Sequence, residues 1–205
     1  MPKNTYSLVL ASQSPRRKEL IKSLFIPFKV EPANIDETSR FDEPSKLVED
    51  LSFQKAQAVL SNCSSPSIVV GSDTIVYFEG EVLGKPNTRD EAGAILKRLS
   101  GKQHEVYSGV CICTEGMSKT FSVKTKVYFR EIPDDLLELY LDTEESMDKA
   151  GAYGIQAHAL AFIERIEGSY SNVVGLPVDS LLIALQEFLQ KLEPSKSEWR
   201  SCFVS

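Results

Sequence analysis

The stretch Tyr6-Ser7-Leu8-Val9-Leu10-Ala11-Ser12-Gln13-Ser14-Pro15-Arg16-Arg17 runs an apolar strand, Tyr6 to Ala11, directly into a helix that begins with adjacent guanidinium groups. Strand-loop-helix junctions of this kind are the units of α/β sheets. Ser14 is placed to cap the helix, and Pro15 suits its first position because the N–H it lacks would have no helical partner there. The free amides of the first turn, the positive end of the helix dipole, the hydroxyls of Ser12 and Ser14 and the forks of Arg16 and Arg17 all favour an anion at this point. The same residues also suit a plain Ser-capped helix with solvated arginines, so the motif alone leaves both readings open.

Outward from that junction, short strands alternate with amphipathic helices and no internal repeat interrupts them. Phe28-Lys29-Val30 reads as a strand leading to the acidic pair Asp36-Glu37. Pro44 to Leu60 carries Leu47, Leu51, Ala58 and Val59 at roughly helical spacing, with Lys55 in its last turns. Ser67 to Val70 is a β-branched strand, broken at Gly71-Ser72-Asp73-Thr74 before a second strand, Ile75 to Phe78, which turns at Glu79-Gly80 toward Val82-Leu83-Gly84-Lys85-Pro86. Thr88 and Glu91 form a capping box for a helix ending before Gly101. Two strands, Glu105 to Thr114 and Thr120 to Phe129, are joined at Glu115-Gly116. A helix over Pro133 to Leu141, a strand over Ala159 to Ile166 and a closing helix over Val178 to Leu192 complete an α/β pattern with a mixed, twisted sheet flanked by helices.

The 205 residues suit one domain, 1–192, with a polar tail, 193–205, expected to be disordered. A net charge of −6 argues against non-specific nucleic-acid binding, while a small anionic substrate fits if positive charge is gathered in one pocket. Cys63, Cys111, Cys113 and Cys202 have no CxxC spacing, which fits a reduced, cytoplasmic chain. No leader or bilayer-length apolar stretch is present, so no membrane partner is expected.

With His104 and His158 as the only histidines, neither beside a GxSxG motif, Ser-His-Asp and Cys-His chemistry is unsupported. Zinc spacing, a P-loop and GxGxxG are also absent. Asp36, Glu37 and Asp73 remain on one side of the charge balance, and Arg16, Arg17, Lys55 and Lys85 on the other. That set suits metal-assisted attack of water on a phosphoryl centre, with carboxylates holding a hard divalent cation or orienting the water and the cations neutralising phosphate charge. For single residues a plainer role stays open: Asp73 as the brace of a turn, Lys55 and Lys85 as surface residues, Asp36 and Glu37 as a solvated loop.

Ser12 to Arg17, Gly71-Ser72-Asp73-Thr74, Glu81-Val82-Leu83-Gly84-Lys85-Pro86, Leu99-Ser100-Gly101, Asp148 to Gln156 and Val174-Gly175-Leu176-Pro177 occur in the order and spacing of the Maf (septum formation) family of nucleotide pyrophosphatases, which the chain resembles from about Leu8 to Leu189. The resemblance implies hydrolysis of a nucleoside triphosphate to the monophosphate and pyrophosphate with Mg²⁺ or Mn²⁺, nucleotide-pool housecleaning, a link to arrest of cell division, and a homodimer. It further implies a two-lobed fold with a cleft, similar to that of inosine triphosphatases (Maf/Ham1). It assigns Asp73 as proton acceptor, with Glu37, Lys55 and Lys85 lining the site; by their chemistry Glu37 and Asp73 also suit a metal, so base and metal ligand both stay open for Asp73. Ser12, Ser14, Arg16, Arg17, Thr74 and Gln156 then meet the substrate, with Arg16, Thr74 and Gln156 bearing on substrate choice. The run Asp148 to Gln156 resembles the branch acting on dTTP and UTP, and the Gln156 amide can both donate to and accept from the O4 and N3–H edge of uracil or thymine. Tyr153 suits either a base stack or the core, and Asp148 and Lys149 can pair with each other.

Two positions depart from the family pattern: Ser72 stands where alanine is usual, and Ala157 where glycine is usual, which bears on the base pocket if a positive φ is needed there. The last residues, Cys202-Phe203-Val204-Ser205, fit a C-a-a-X prenylation pattern, although Lys191, Lys196 and Arg200 would support only a weak anchor. The function expected is thus a metal-dependent pyrophosphatase for dTTP, UTP and modified pyrimidine nucleotides. The alternative is a nucleotide-sensing regulator of cell division that binds in the same pocket without turnover.

Overall fold

In the computed structural model, which describes residues 5–196 and 198–203, a seven-stranded mixed sheet runs in the order β2-β1-β3-β5-β6-β7, with β4 attached to β3. The strands are β1 (Ser7–Ala11), β2 (Phe28–Val30), β3 (Ser67–Phe78), β4 (Glu81–Leu83), β5 (Gln103–Thr114), β6 (Met117–Phe129) and β7 (Ile163–Glu167). The helices are α1 (Pro15–Lys22), α2 (Pro44–Leu60), α3 (Arg89–Leu99), α4 (Asp134–Leu141), α5 (Tyr170–Val174) and α6 (Val178–Leu192). β1 pairs in parallel with both β2 and β3, and the remaining pairings are antiparallel.

The expected break at Gly71–Thr74 does not exist: β3 is one strand of 12 residues. Glycine is needed there for space, not for a turn. A Cβ on Gly71 would lie 2.3 Å from the Ser52 carbonyl, and one on Gly109 of β5 2.0 Å from the Val48 carbonyl, so these glycines let α2 press directly onto the sheet. The buried face of α2 carries Val48, Leu51, Ser52, Lys55, Ala56 and Val59, a helical stripe with one lysine in it.

What does stop at Gly71 is one of the partners of β3. Its outer edge pairs with β1 from Ser67 to Gly71 and with β4 from Val76 to Phe78. Between them, Ser72 to Ile75 have no neighbouring strand on that edge among the described residues, while the inner edge stays paired to β5 throughout. Apolar clusters lie on both sides of this gap. One joins β1, α1 and α6 through Leu8, Leu10, Ile21, Leu181 and Phe188, and another joins α3 and α4 to the far end of the sheet through Leu96, Leu99, Val127, Leu137 and Phe162. The described residues form one continuous sheet rather than separately folded halves.

Two further expectations change. Ala159–Ile166 divides into a short 3-10 turn, His158–Ala161, and β7. The described part of the tail is folded, not disordered: Trp199–Cys202 forms a 3-10 turn, the Tyr6 amide donates to the Cys202 carbonyl at 2.7 Å, and Cys202 and Phe203 join the α6 core. Val204 and Ser205, half of the prenylation pattern, lie outside the described residues, and Cys202 itself is buried. No helix among the described residues is long and apolar enough to cross a membrane.

Candidate active site

The gap in the outer edge of β3 opens into a cleft of about 1160 Å³. Ser12, Ser14, Arg16, Arg17, Glu37, Lys55, Asp73, Thr74, Lys85 and Gln156 line it, whereas Asp36, the other acidic candidate from the sequence, is exposed and does not.

On the α2 side of the sheet, the Lys55 ammonium reaches Asp73 Oδ1 at 2.6 Å and Glu37 Oε1 at 2.9 Å. Its place on the buried stripe of α2, opposite the close approach at Gly71 and Gly109, holds it there. Asp73 and Lys55 are each about nine-tenths hidden, whereas Glu37 is exposed on its loop. The plainer readings of Lys55 as a surface residue and of Asp73 as the brace of a turn therefore fall.

The opposite side carries the predicted anion socket. Ser14 caps α1 by accepting from the Arg17 amide, Pro15 takes the first helical position, and the Ser14 amide donates to Ser12 Oγ at 3.2 Å. Arg17 donates from Nε to the Gly175 carbonyl at 2.8 Å, from Nη2 to Thr74 Oγ1 at 2.9 Å and from Nη1 to Ser12 Oγ at 3.4 Å. Burial pushes the Arg17 pKa down and nearby Asp73 pulls it back, and a guanidinium stays charged through such a shift. Gly175 caps α5 with φ +126°, a conformation that favours glycine, and its carbonyl also accepts from Ser72 Oγ at 3.1 Å. Ser72, one of the departures, thus has work for its hydroxyl. The sequence singled out the block Val174 to Pro177 without a role; Gly175 supplies one.

The segment Asp148–Ala157 forms the third wall. Arg16 Nη1 bonds Asp148 Oδ2 at 3.0 Å, and Lys149 Nζ lies 2.5 Å from Asp148 Oδ1. Partial burial pushes the Asp148 pKa up, but the bonds from Lys149 and Arg16 prevail and hold it below the usual carboxylate range. The expected Asp148–Lys149 pair is present, and the sequence missed its link to Arg16. Gln156 is exposed on the wall and Lys85 on the rim. Tyr153 is a core residue: its ring packs edge-on against His104 and Phe129, and its hydroxyl meets His104 Nε2 at 2.7 Å. Ala157 has φ −135°, outside the left-handed region, so alanine is accommodated without that strain.

Among the described residues no group of three or more metal-ligating side chains converges. Glu37 and Asp73, close to one point through Lys55, are hard oxygen donors of the number that Mg²⁺ commonly takes from a protein when phosphate oxygens and water complete its shell.

Known proteins resemble this chain in sequence and in fold. A "dTTP/UTP pyrophosphatase" of Bacillus cereus (strain G9842) is 44% identical over 182 residues, spanning 88% of this chain and 95% of that protein. One of Bacillus anthracis with the same description is 43% identical over the same shares. Among solved structures, the Ham1 protein of Staphylococcus aureus superposes with a TM-score of 0.50 at 13% identity, over 88% of this chain and 98% of that one, a likeness of fold. The description "Maf-like protein" matches residues 7–188, nearly the whole of the sheet and its helices, and the chain belongs to that family.

Proposed function

We propose that this chain hydrolyses dTTP and UTP, and modified pyrimidine nucleotides with the same base edge, to the nucleoside monophosphate and pyrophosphate. The observation that carries the reading is the pairing, across one strand, of a buried carboxylate with a neutralising lysine and a partly buried arginine fork in the same cleft. The relatives described as dTTP/UTP pyrophosphatases support the choice of nucleotide.

Arg17 and the first turn of α1 bind the polyphosphate, with Arg16 and Lys85 adding charge from the wall and the rim. Asp73 accepts the proton of the attacking water as the α–β anhydride breaks and pyrophosphate leaves, and Lys55 holds that carboxylate in place. Glu37 and Asp73 would hold a Mg²⁺ or Mn²⁺ ion, whose chemistry here is neutralisation of phosphate charge. Gln156 offers a donor and an acceptor to the base.

The test is pyrophosphate release from dTTP, UTP, CTP, ATP, GTP and 7-methyl-GTP with Mg²⁺ or Mn²⁺ and with chelator. Metal-dependent release confined to dTTP and UTP supports the proposal. Binding of these nucleotides without release from any would favour a nucleotide-sensing regulator instead.

A further inference from the structure

Behind Thr74, away from the cleft, Ser108 of β5 is fully buried and sits directly opposite it in the β3–β5 register, with the hydroxyl oxygens 2.8 Å apart. Ser108 is not among the residues lining the cleft. Counting protons fixes the direction of this contact. Each hydroxyl has a single proton to give. Ser108 Oγ lies 3.0 Å from the Asn172 backbone oxygen, which can only accept, so its proton goes there and Ser108 is left as an acceptor toward Thr74.

Thr74 has one other acceptor in reach, the Gly175 carbonyl at 3.3 Å. That oxygen already takes shorter bonds from Arg17 Nε at 2.8 Å and Ser72 Oγ at 3.1 Å, which fill its two lone pairs. The Thr74 proton therefore turns inward to Ser108, and a lone pair turns outward to Arg17 Nη2. The chain runs one way, from Arg17 to Thr74 to Ser108 to the Asn172 carbonyl.

We infer that Ser108 is a positioning residue that sets the direction of the Thr74 hydroxyl and, through it, the Arg17 fork. The inference rests on the pyrophosphatase reading for its setting. Thr74 then meets the cleft only as an acceptor and gives no hydrogen bond to a phosphate oxygen; its part is to hold Arg17. With Nε and one N–H of each terminal nitrogen engaged by protein oxygens, the guanidinium keeps one N–H on Nη1 and one on Nη2 for an anion. Ser72 contributes by occupying the Gly175 carbonyl that would otherwise compete for the Thr74 proton.

The experiment is a double-mutant cycle of Ser108→Ala and Thr74→Val, read as kcat and KM for dTTP and UTP and as affinity for inorganic tripolyphosphate by calorimetry. Ser108→Ala is expected to weaken tripolyphosphate binding and raise KM by about tenfold with little change in kcat, as befits one lost buried hydrogen bond to a ground-state binding group. In the Thr74→Val background it is expected to add nothing, because the hydroxyl through which it acts is gone. An unchanged Ser108→Ala variant, or the same loss in both backgrounds, overturns the inference. If Ser108→Ala does not fold, Ser108→Cys, of similar size and a weak donor, is expected to show a smaller loss of the same kind, and a wild-type affinity would overturn the inference. If the wild-type protein releases no pyrophosphate the activity assignment fails, and the tripolyphosphate cycle still decides the role of Ser108.

Discussion

Asp73 and Thr74 are neighbours on β3 and point to opposite faces of the sheet, Asp73 to Lys55 of α2 and Thr74 to Arg17 of α1, yet both side chains line the same cleft. Alternation along a strand normally assigns such a pair to separate compartments. Here the outer edge of the strand is open between β1 and β4, and the cleft wraps around it. One strand thereby supplies a buried carboxylate on one side and an anchor for the Arg17 guanidinium on the other.

Asp73→Asn should abolish turnover while leaving nucleotide binding in place. The amide keeps the size of the side chain and loses the proton-accepting charge, so kcat is expected to fall by about 10²-fold or more. Calorimetric affinity for dTTP within a few-fold of wild type, beside lost pyrophosphate release, is the expected outcome. Equal turnover by both proteins would remove Asp73 from the role of acceptor.

Lys55→Met should cost stability as well as activity. Removing the ammonium leaves the buried Asp73 carboxylate without the partner that lies 2.6 Å away, a loss of roughly 3–5 kcal/mol for a buried pair. Urea unfolding should recover much of that in the double variant with Asp73→Asn, which has no charge left to compensate. Additive losses would mean that the pair does not interact energetically.

Gly109→Ala should be far more damaging than its one methyl suggests. The new Cβ would stand 2.0 Å from the Val48 carbonyl, a backbone atom with no rotamer to escape into, so α2 must lift from the sheet and carry Lys55 away from Asp73. A loss of at least 1–3 kcal/mol in unfolding free energy, roughly the cost of overpacking, is expected together with reduced kcat. A variant with wild-type stability and activity would show that α2 is held less closely than described.

His104 should make the fold sensitive to mild acid. Its ring is enclosed by Phe129 and Tyr153, and burial pushes its pKa from 6.5 down to about 3. Between those values the unfolded chain takes up a proton that the folded chain refuses, so this stabilising contribution is complete above pH 6.5 and declines as pH falls toward 3. The slope is about 1.4 kcal/mol per pH unit within that window. Between pH 6.5 and 5, wild-type unfolding free energy should therefore drop about 2 kcal/mol more than that of His104→Gln, and parallel curves would contradict the buried neutral imidazole.

Helix boundaries were the most legible part of the sequence where local chemistry marks them. Pro44 opens α2, Thr88 caps α3 by accepting from the Glu91 amide, and the apolar stripe of α6 ends at Leu192 as expected. Charged site residues were also legible, because paired Arg, Lys, Asp and Glu beside strand ends have few purely structural uses. The glycines were not. Gly71 reads as a loop in sequence because its reason for being glycine, the Ser52 carbonyl, belongs to a helix that precedes it in the chain and meets it only in the fold. Ser108 was hidden for a similar reason: a serine inside an apolar strand carries no signal until Thr74 and the Asn172 carbonyl are placed around it. The tail misled through composition, since its polar residues conceal the apolar anchors Trp199, Cys202 and Phe203, which pack with α6 and beside Tyr6 at the far end of the chain.

The stretch of β3 from Ser72 to Ile75 also bears on how the sheet meets other chains. Exposed strand edges invite a second chain to add itself, and proteins commonly blunt them with charge, proline or bulges. Here β1 and β4 stand at either end of the unpaired stretch, and Ser72, Asp73 and Ile75 are themselves buried, so little free edge is left for another strand to extend.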